Sequence, residues 1–72
     1  MDDVQKKLRI LLDYWIEHNR EHEKEFRDWA DKVVSLSPDV AHQLQEAATK
    51  MAAASSELMK AKQALPRSKE RH

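Results

Sequence analysis

Apolar side chains recur along the first half of the chain at helical intervals. Projected at about 100° per residue, Val4, Leu8, Leu11, Trp15, His22, Phe26, Trp29 and Val33 fall on one stripe, with Leu12 and Leu36 at its margins. The opposite side carries Lys6, Arg9, Asp13, Glu17, Arg20, Lys24, Arg27 and Asp31. Many of these form opposite-charge pairs three or four residues apart, each worth roughly 0.2–0.5 kcal/mol on an exposed helix, so the charged side is expected to face solvent. Ile16 and Val34 lie outside the stripe, and Ile10 and Tyr14 lie off its other edge. These four are expected either to be exposed or to widen the surface toward a second partner. The pattern predicts a helix over about 3–34, capped by Asp2 or Asp3, whose short carboxylates suit the free N–H groups and the dipole there.

Ser35-Leu36-Ser37-Pro38-Asp39 is the strong break. Ser37 before Pro38 fits an N-cap followed by proline at the first helical position, where its missing N–H costs nothing. Beyond it Val40, Leu44, Ala47, Met51, Ala54, Leu58, Ala61 and Leu65 alternate by four and three. That heptad spacing predicts a second helix over about 38–65, packing at the shallow angle of left-handed bundles. Pro66 ends it, and residues 66–72 read as a disordered polar tail.

A loop as short as 35–38 makes the two helices antiparallel neighbours, so the fold class is all-α, a two-helix hairpin over 1–65. Folding the chain at the loop sets the bulky segment Trp15 to Phe26 opposite Ala47 to Ser56, where seven residues are alanine or serine. Large against small is how facing layers interdigitate. Two helices touch along a single line, however, and the apolar arc on the first is wider than one line can cover. The surplus is expected to be buried by a second copy, as a homodimeric four-helix bundle. Leu8, Leu11, Trp15, Phe26, Trp29, Val40, Leu44, Met51 and Leu58 are the candidate interface residues.

Composition narrows the rest. At 72 residues one small domain is the ceiling, and a core of that size needs a staple, a metal or a partner chain. Cysteine is absent, so there is no disulfide, thiolate ligand or thiol nucleophile, which fits a cytoplasmic protein. Thirteen basic and thirteen acidic side chains balance, against the basic face of a nucleic-acid binder. No apolar run approaches the roughly 20 residues of a membrane span, and Met1-Asp2-Asp3 is acidic where a signal peptide would be basic. The lack of glycine removes any phosphate-cradling loop and favours long helices.

The candidate chemistry is a polar layer inside the stripe. His18 and His22 stand one turn apart, about 6 Å along the axis, with Asn19 toward one edge and Glu25 beside them. Two imidazoles and a carboxylate on one helical surface are three ligands for a divalent transition metal such as nickel, cobalt or zinc. In a two-fold dimer the layer would meet its own copy. The competing reading is a buried histidine layer satisfied by Ser55 or Ser56, fixing helix register without metal, as a polar core residue does in coiled coils. His42 points to the opposite side and reads as a surface histidine. His18-Asn19 is not the start of an H-E-x-x-H motif, and no serine has an evident histidine-plus-acid partner, so the chain is not expected to be an enzyme.

Leu12-x-x-Trp15-Ile16-Glu17-His18-Asn19-x-x-His22-x-x-x-Phe26-x-x-Trp29-Ala30, with Glu46-Ala47-Ala48 and Glu57-Leu58-Met59-Lys60-Ala61 in the second half, resembles a small helical domain of anaerobic bacteria and archaea. Its function is uncharacterised, and it is often found beside a short nickel-binding module of the CooT type, whose relatives serve carbon monoxide dehydrogenase maturation. The resemblance spans roughly Leu8 to Leu65, and Trp15, His18, Asn19, His22, Phe26 and Trp29 match position by position. It implies a metal-handling context and a metalloprotein-maturation partner. The nickel module's own ligands do not carry over, because this chain has no cysteine. The combined expectation is a self-associating helical protein that binds or helps deliver a transition-metal ion through His18, His22 and Glu25. The alternative is a plain dimerisation or docking module.

Overall fold

A single reversal of direction organises the computed structural model, which describes residues 2–66. Helix α1 runs Asp2–Val33 and helix α2 runs Pro38–Ala64, so both boundaries fall within a residue or two of the expected ones. α1 already contains Asp2 and Asp3, so neither caps it as expected. Asp3 instead stands in the first turn, where the dipole favours its charge. The tail expected beyond Pro66 also lies outside the described residues.

The turn closes without glycine because it needs no left-handed backbone: among the described residues none has a positive φ. Leu36 and Ser37 both donate their backbone N–H to Val33 O, at 2.9 and 2.8 Å, closing the end of α1. Ser37 is then extended, and its hydroxyl accepts from Val40 N–H at 3.3 Å, the N-cap that the sequence predicted. Pro38 and Asp39 fill the first turn of α2 as expected. At the other end, Leu65 donates to Lys62 O and Pro66 follows.

The line along which the helices meet differs from the expected seam. On α1 the buried residues are Leu12, Ile16 and Ala30, with Asn19, Glu23, Phe26 and Val33 half-buried at the intervening positions of the same four-and-three series. Ile16 is thus core, where the stripe reading left it outside. On α2 the buried residues are Ala41, Ala48 and Ser55, seven apart, and Leu44, Met51, Leu58 and Leu65 flank them half-buried. Half of the expected α2 seam is therefore shared, but its other members, Val40, Ala47, Ala54 and Ala61, are displaced to one side. The reason is steric. A row of small residues every seven positions lets the two backbones approach closely, and the longer side chains then wrap alongside the contact.

That close contact buries little. Among the described residues Leu12 and Ile16 are the only large aliphatic side chains that are buried, and no large side chain is fully enclosed. Burial of each such aliphatic contributes about 1.5–3 kcal/mol, so this line by itself makes a thin core. The shape agrees: the radius of gyration is 16.8 Å, against about 11 Å for a compact chain of this length.

Candidate functional site

The hairpin has two unlike sides, and their assignment follows from side-chain contacts. Arg27 donates to Gln45 Oε1 at 2.9 Å, Arg20 approaches Met59 Sδ at 3.6 Å, and Lys62 bonds Asp13. Asp13, Arg20 and Arg27 are seven apart, so one polar edge of α1 lies along one edge of α2. The charged side of α1 is therefore not wholly solvated as expected: part of it forms this second line of contact. When two helices pack antiparallel, like edges meet on the same side of the seam. The edge opposite Asp13, Arg20 and Arg27 carries Trp15, His22 and Trp29; its counterpart on α2 carries Val40, Ala47, Ala54 and Ala61. These form the apolar side of the hairpin.

The apolar side stands open. Val4 is 67% exposed, Trp29 52%, Leu11 43%, Trp15 39% and Val40 51%. The indoles expected to fill the space above the alanine tract thus lie beside it instead. Leu8, Phe26, Leu44, Met51 and Leu58 are half-buried, shared between the seam and the open side. Lys32 Nζ sits 4.5 Å from the centre of the Trp29 ring.

The histidine layer lies in the middle of this side. His18 Nε2 and His22 Nε2 are 3.1 Å apart, and the two rings meet edge to face. His22 Nδ1 lies 3.1 Å from Glu25 Oε1. Tyr14 stacks on His18 at 5.4 Å and Phe26 on His22 at 5.9 Å, so four rings form a continuous ladder along α1. Tyr14, read from the pattern as off the edge of the stripe, is the first rung; its position four residues before His18 was the available signal.

This geometry divides the three candidate ligands. Two nitrogens bound to one tetrahedral metal at about 2.0–2.1 Å stand roughly 3.3–3.4 Å apart, so the observed pair of Nε2 atoms is already close to a chelate. Glu25 meets the other nitrogen of His22, on the far side of the ring. In that position a carboxylate orients the imidazole and sets its tautomer, as outer-shell partners of metal-bound histidines do. Among the described residues no group of three or more histidine, cysteine or acidic side chains stands together as a metal cluster. Neither serine proposed to satisfy the histidines does so: His18 and His22 bond one another and Glu25, while the buried Ser55 hydroxyl has no partner. Asn19 turns half-buried toward the seam, away from the pair. His42 is exposed and lies 3.9 Å from Glu46, one turn along α2. No helix among the described residues is long and apolar enough to cross a membrane.

Residues 8–65 match the domain of unknown function DUF8180, and the chain belongs to that family. It is also similar to an uncharacterized protein of Archaeoglobus fulgidus, 44% identical over 45 residues, which cover 62% of this chain and 73% of that one. No solved structure matches the chain.

Proposed function

We propose that this protein is a self-associating hairpin that binds a divalent transition-metal ion through His18 and His22, with Glu25 orienting His22. The observation that carries the metal reading is the pair of Nε2 atoms 3.1 Å apart, with the opposite nitrogen of His22 held by a carboxylate. Two imidazole nitrogens this close together are part of the donor set that nickel, cobalt and zinc accept. The resemblance to a domain found beside CooT-type modules makes nickel the first ion to test, and a metalloprotein-maturation partner the first recipient to seek.

Self-association rests on the open apolar side. The chain exposes 5590 Å², about 900 Å² more than a compact protein of its mass. One partner in a standard interface covers about 800 Å², and a second copy seated on the open side would cover part of that excess. The occupants would be the candidate interface residues Leu11, Trp15, Trp29 and Val40, together with the half-buried Leu8, Phe26, Leu44, Met51 and Leu58.

A specific observation also favours the metal-free alternative. With His22 Nδ1–H donating to Glu25, His22 Nε2 is free to accept from His18 Nε2–H, so every nitrogen but one in the pair is satisfied without an ion. In that reading the layer sets register in the bundle and nothing more. Calorimetric titration of nickel, cobalt and zinc into the wild type and the His18→Ala/His22→Ala variant separates the two. Metal binding lost in the variant supports the site; equal affinity in both proteins rejects it. Glu25→Gln is expected to weaken binding about 10- to 100-fold, the usual cost of removing an outer-shell partner. Sedimentation equilibrium tests association, and a well-folded monomer at micromolar concentration would rule out the bundle.

A further inference from the structure

The open side carries a symmetry that specifies how a second copy sits on it. Val4, Leu8, Leu11 and Trp15 precede the middle of α1 at the same spacings by which Val33, Trp29, Phe26 and His22 follow it, so the stripe reads alike in both directions from a point between His18 and Asn19. The second row on α2, from Val40 to Leu65, has its own centre between Ala52 and Ala53. The contacts Arg27–Gln45 and Asp13–Lys62 bring the centre of α1 level with residues 53–57 of α2, about one turn or less from that second centre. One two-fold axis, running perpendicular to the helices through this level, therefore serves both rows.

Resting on the self-association and metal reading above, the geometry points to a dimer with α1 against α1 and α2 against α2, the two turns at opposite ends, and the histidine pairs of both copies on the axis sharing one ion. This isologous arrangement sets Val4 against Val33 of the second copy, Leu8 against Trp29, Leu11 against Phe26 and Trp15 against His22, so the apolar positions outside the histidine layer meet one another. Along the outer margin of the stripe Lys7 comes level with Asp28 of the second copy, within about 3 Å along the axis, and the charges are opposite. His18 lies within one residue of the axis level. Helical side chains lean toward the N-terminus, which brings the His22 ring toward the same level. Among the described residues each copy alone supplies two donors and no third; together the copies supply four imidazole nitrogens, a complete tetrahedral set.

The competing two-fold runs parallel to the helices. It would stack α1 on α2 of the second copy, put both turns at the same end and set each histidine pair against alanines, leaving two separate and incomplete sites.

The absence of cysteine allows a single spin label to decide between them. Ser35→Cys, exposed in the turn and outside both apolar rows, is labelled on the full chain without metal, and the distance between the two labels is measured by pulsed electron resonance. The opposite-end dimer predicts about 50 Å, from the rise of the helices between the axis and the turn. A distance below about 25 Å shows the same-end dimer and overturns the proposal. Zinc titration of the unlabelled chain is read alongside, with the coordination shell measured by X-ray absorption. The expected result is one ion per two chains with four nitrogen ligands; one ion per chain with two imidazoles overturns the shared site. These results are distinct from failure of the underlying reading. A dimer with the long distance and no zinc binding removes the metal and keeps the symmetry, whereas a folded chain that sediments as a monomer and gives no label-to-label distance removes both.

Discussion

Leu11 and Leu12 are neighbours in sequence, as are Trp15 and Ile16, and Trp29 and Ala30, yet within each pair one residue is open and the other buried. Leu12, Ile16 and Ala30 form the line against α2; Leu11, Trp15 and Trp29 form the open side. Both triplets belong to one broad apolar arc on α1, and α2 covers only the half of it that small side chains allow. The line bearing the smaller residues is the one closed within the chain, and the bulkier aromatics are left for something else. The comparison teaches that the size of a side chain does not by itself mark the core in a helical hairpin. Where α2 presents Ala41, Ala48 and Ser55, close approach of the backbones decides which half is buried.

The largest expected effect tests whether the buried line holds the hairpin together. Leu12→Ala should cost about 2–5 kcal/mol in chemical denaturation, the usual range for a buried leucine. Leu11→Ala, one residue away, should cost less than that in dilute solution and show a cost that grows with protein concentration. If the two variants lose the same stability at every concentration, the distinction between the two lines fails.

A second comparison moves to α2. Ala48 is wholly enclosed between the helices, so Ala48→Leu should force them apart and lower stability by about 1–3 kcal/mol. Ala47→Leu places the same added volume on the open side, where it should leave the helical content intact and change the sedimented mass instead. A thermal melt beside a sedimentation run reads both outcomes.

The smallest effect concerns the buried hydroxyl of Ser55. Ser55 Oγ has no hydrogen-bond partner, and Ser55→Ala keeps the small volume that the close approach needs. The substitution should raise stability by about 1 kcal/mol, because it removes an unsatisfied polar group. A loss of stability of that size would mean that the hydroxyl is satisfied in solution.

Much of this is legible in the amino-acid sequence. The two helices, the turn at Ser35 to Ser37 and the serine–proline start of α2 are local properties: helical periodicity, a capping hydroxyl and a proline whose missing N–H matters little at that position. The proximity of His18 to His22 is likewise local, since four residues make about one turn. Which face of each helix would be shared was less legible. On α1 the buried line contains Asn19 and Glu23, which disguised it as a polar edge, while the exposed line contains both tryptophans. On α2 two rows overlap at Leu44, Met51, Leu58 and Leu65, and nothing in their spacing says which set of alanines turns inward.

The amino-acid sequence by itself determined that the chain makes two antiparallel helices with more apolar surface than one contact can cover, because period, caps and loop length act within a few residues. Only the tertiary structure decided that Ala41, Ala48 and Ser55, and not Ala47 and Ala54, take the contact. It also showed Glu25 on the far nitrogen of His22, and the indoles and the histidine ladder outside the seam. Those outcomes depend on how closely two helices approach and how they rotate about their axes, which is set by the sum of contacts along both helices and not by any one stretch of either.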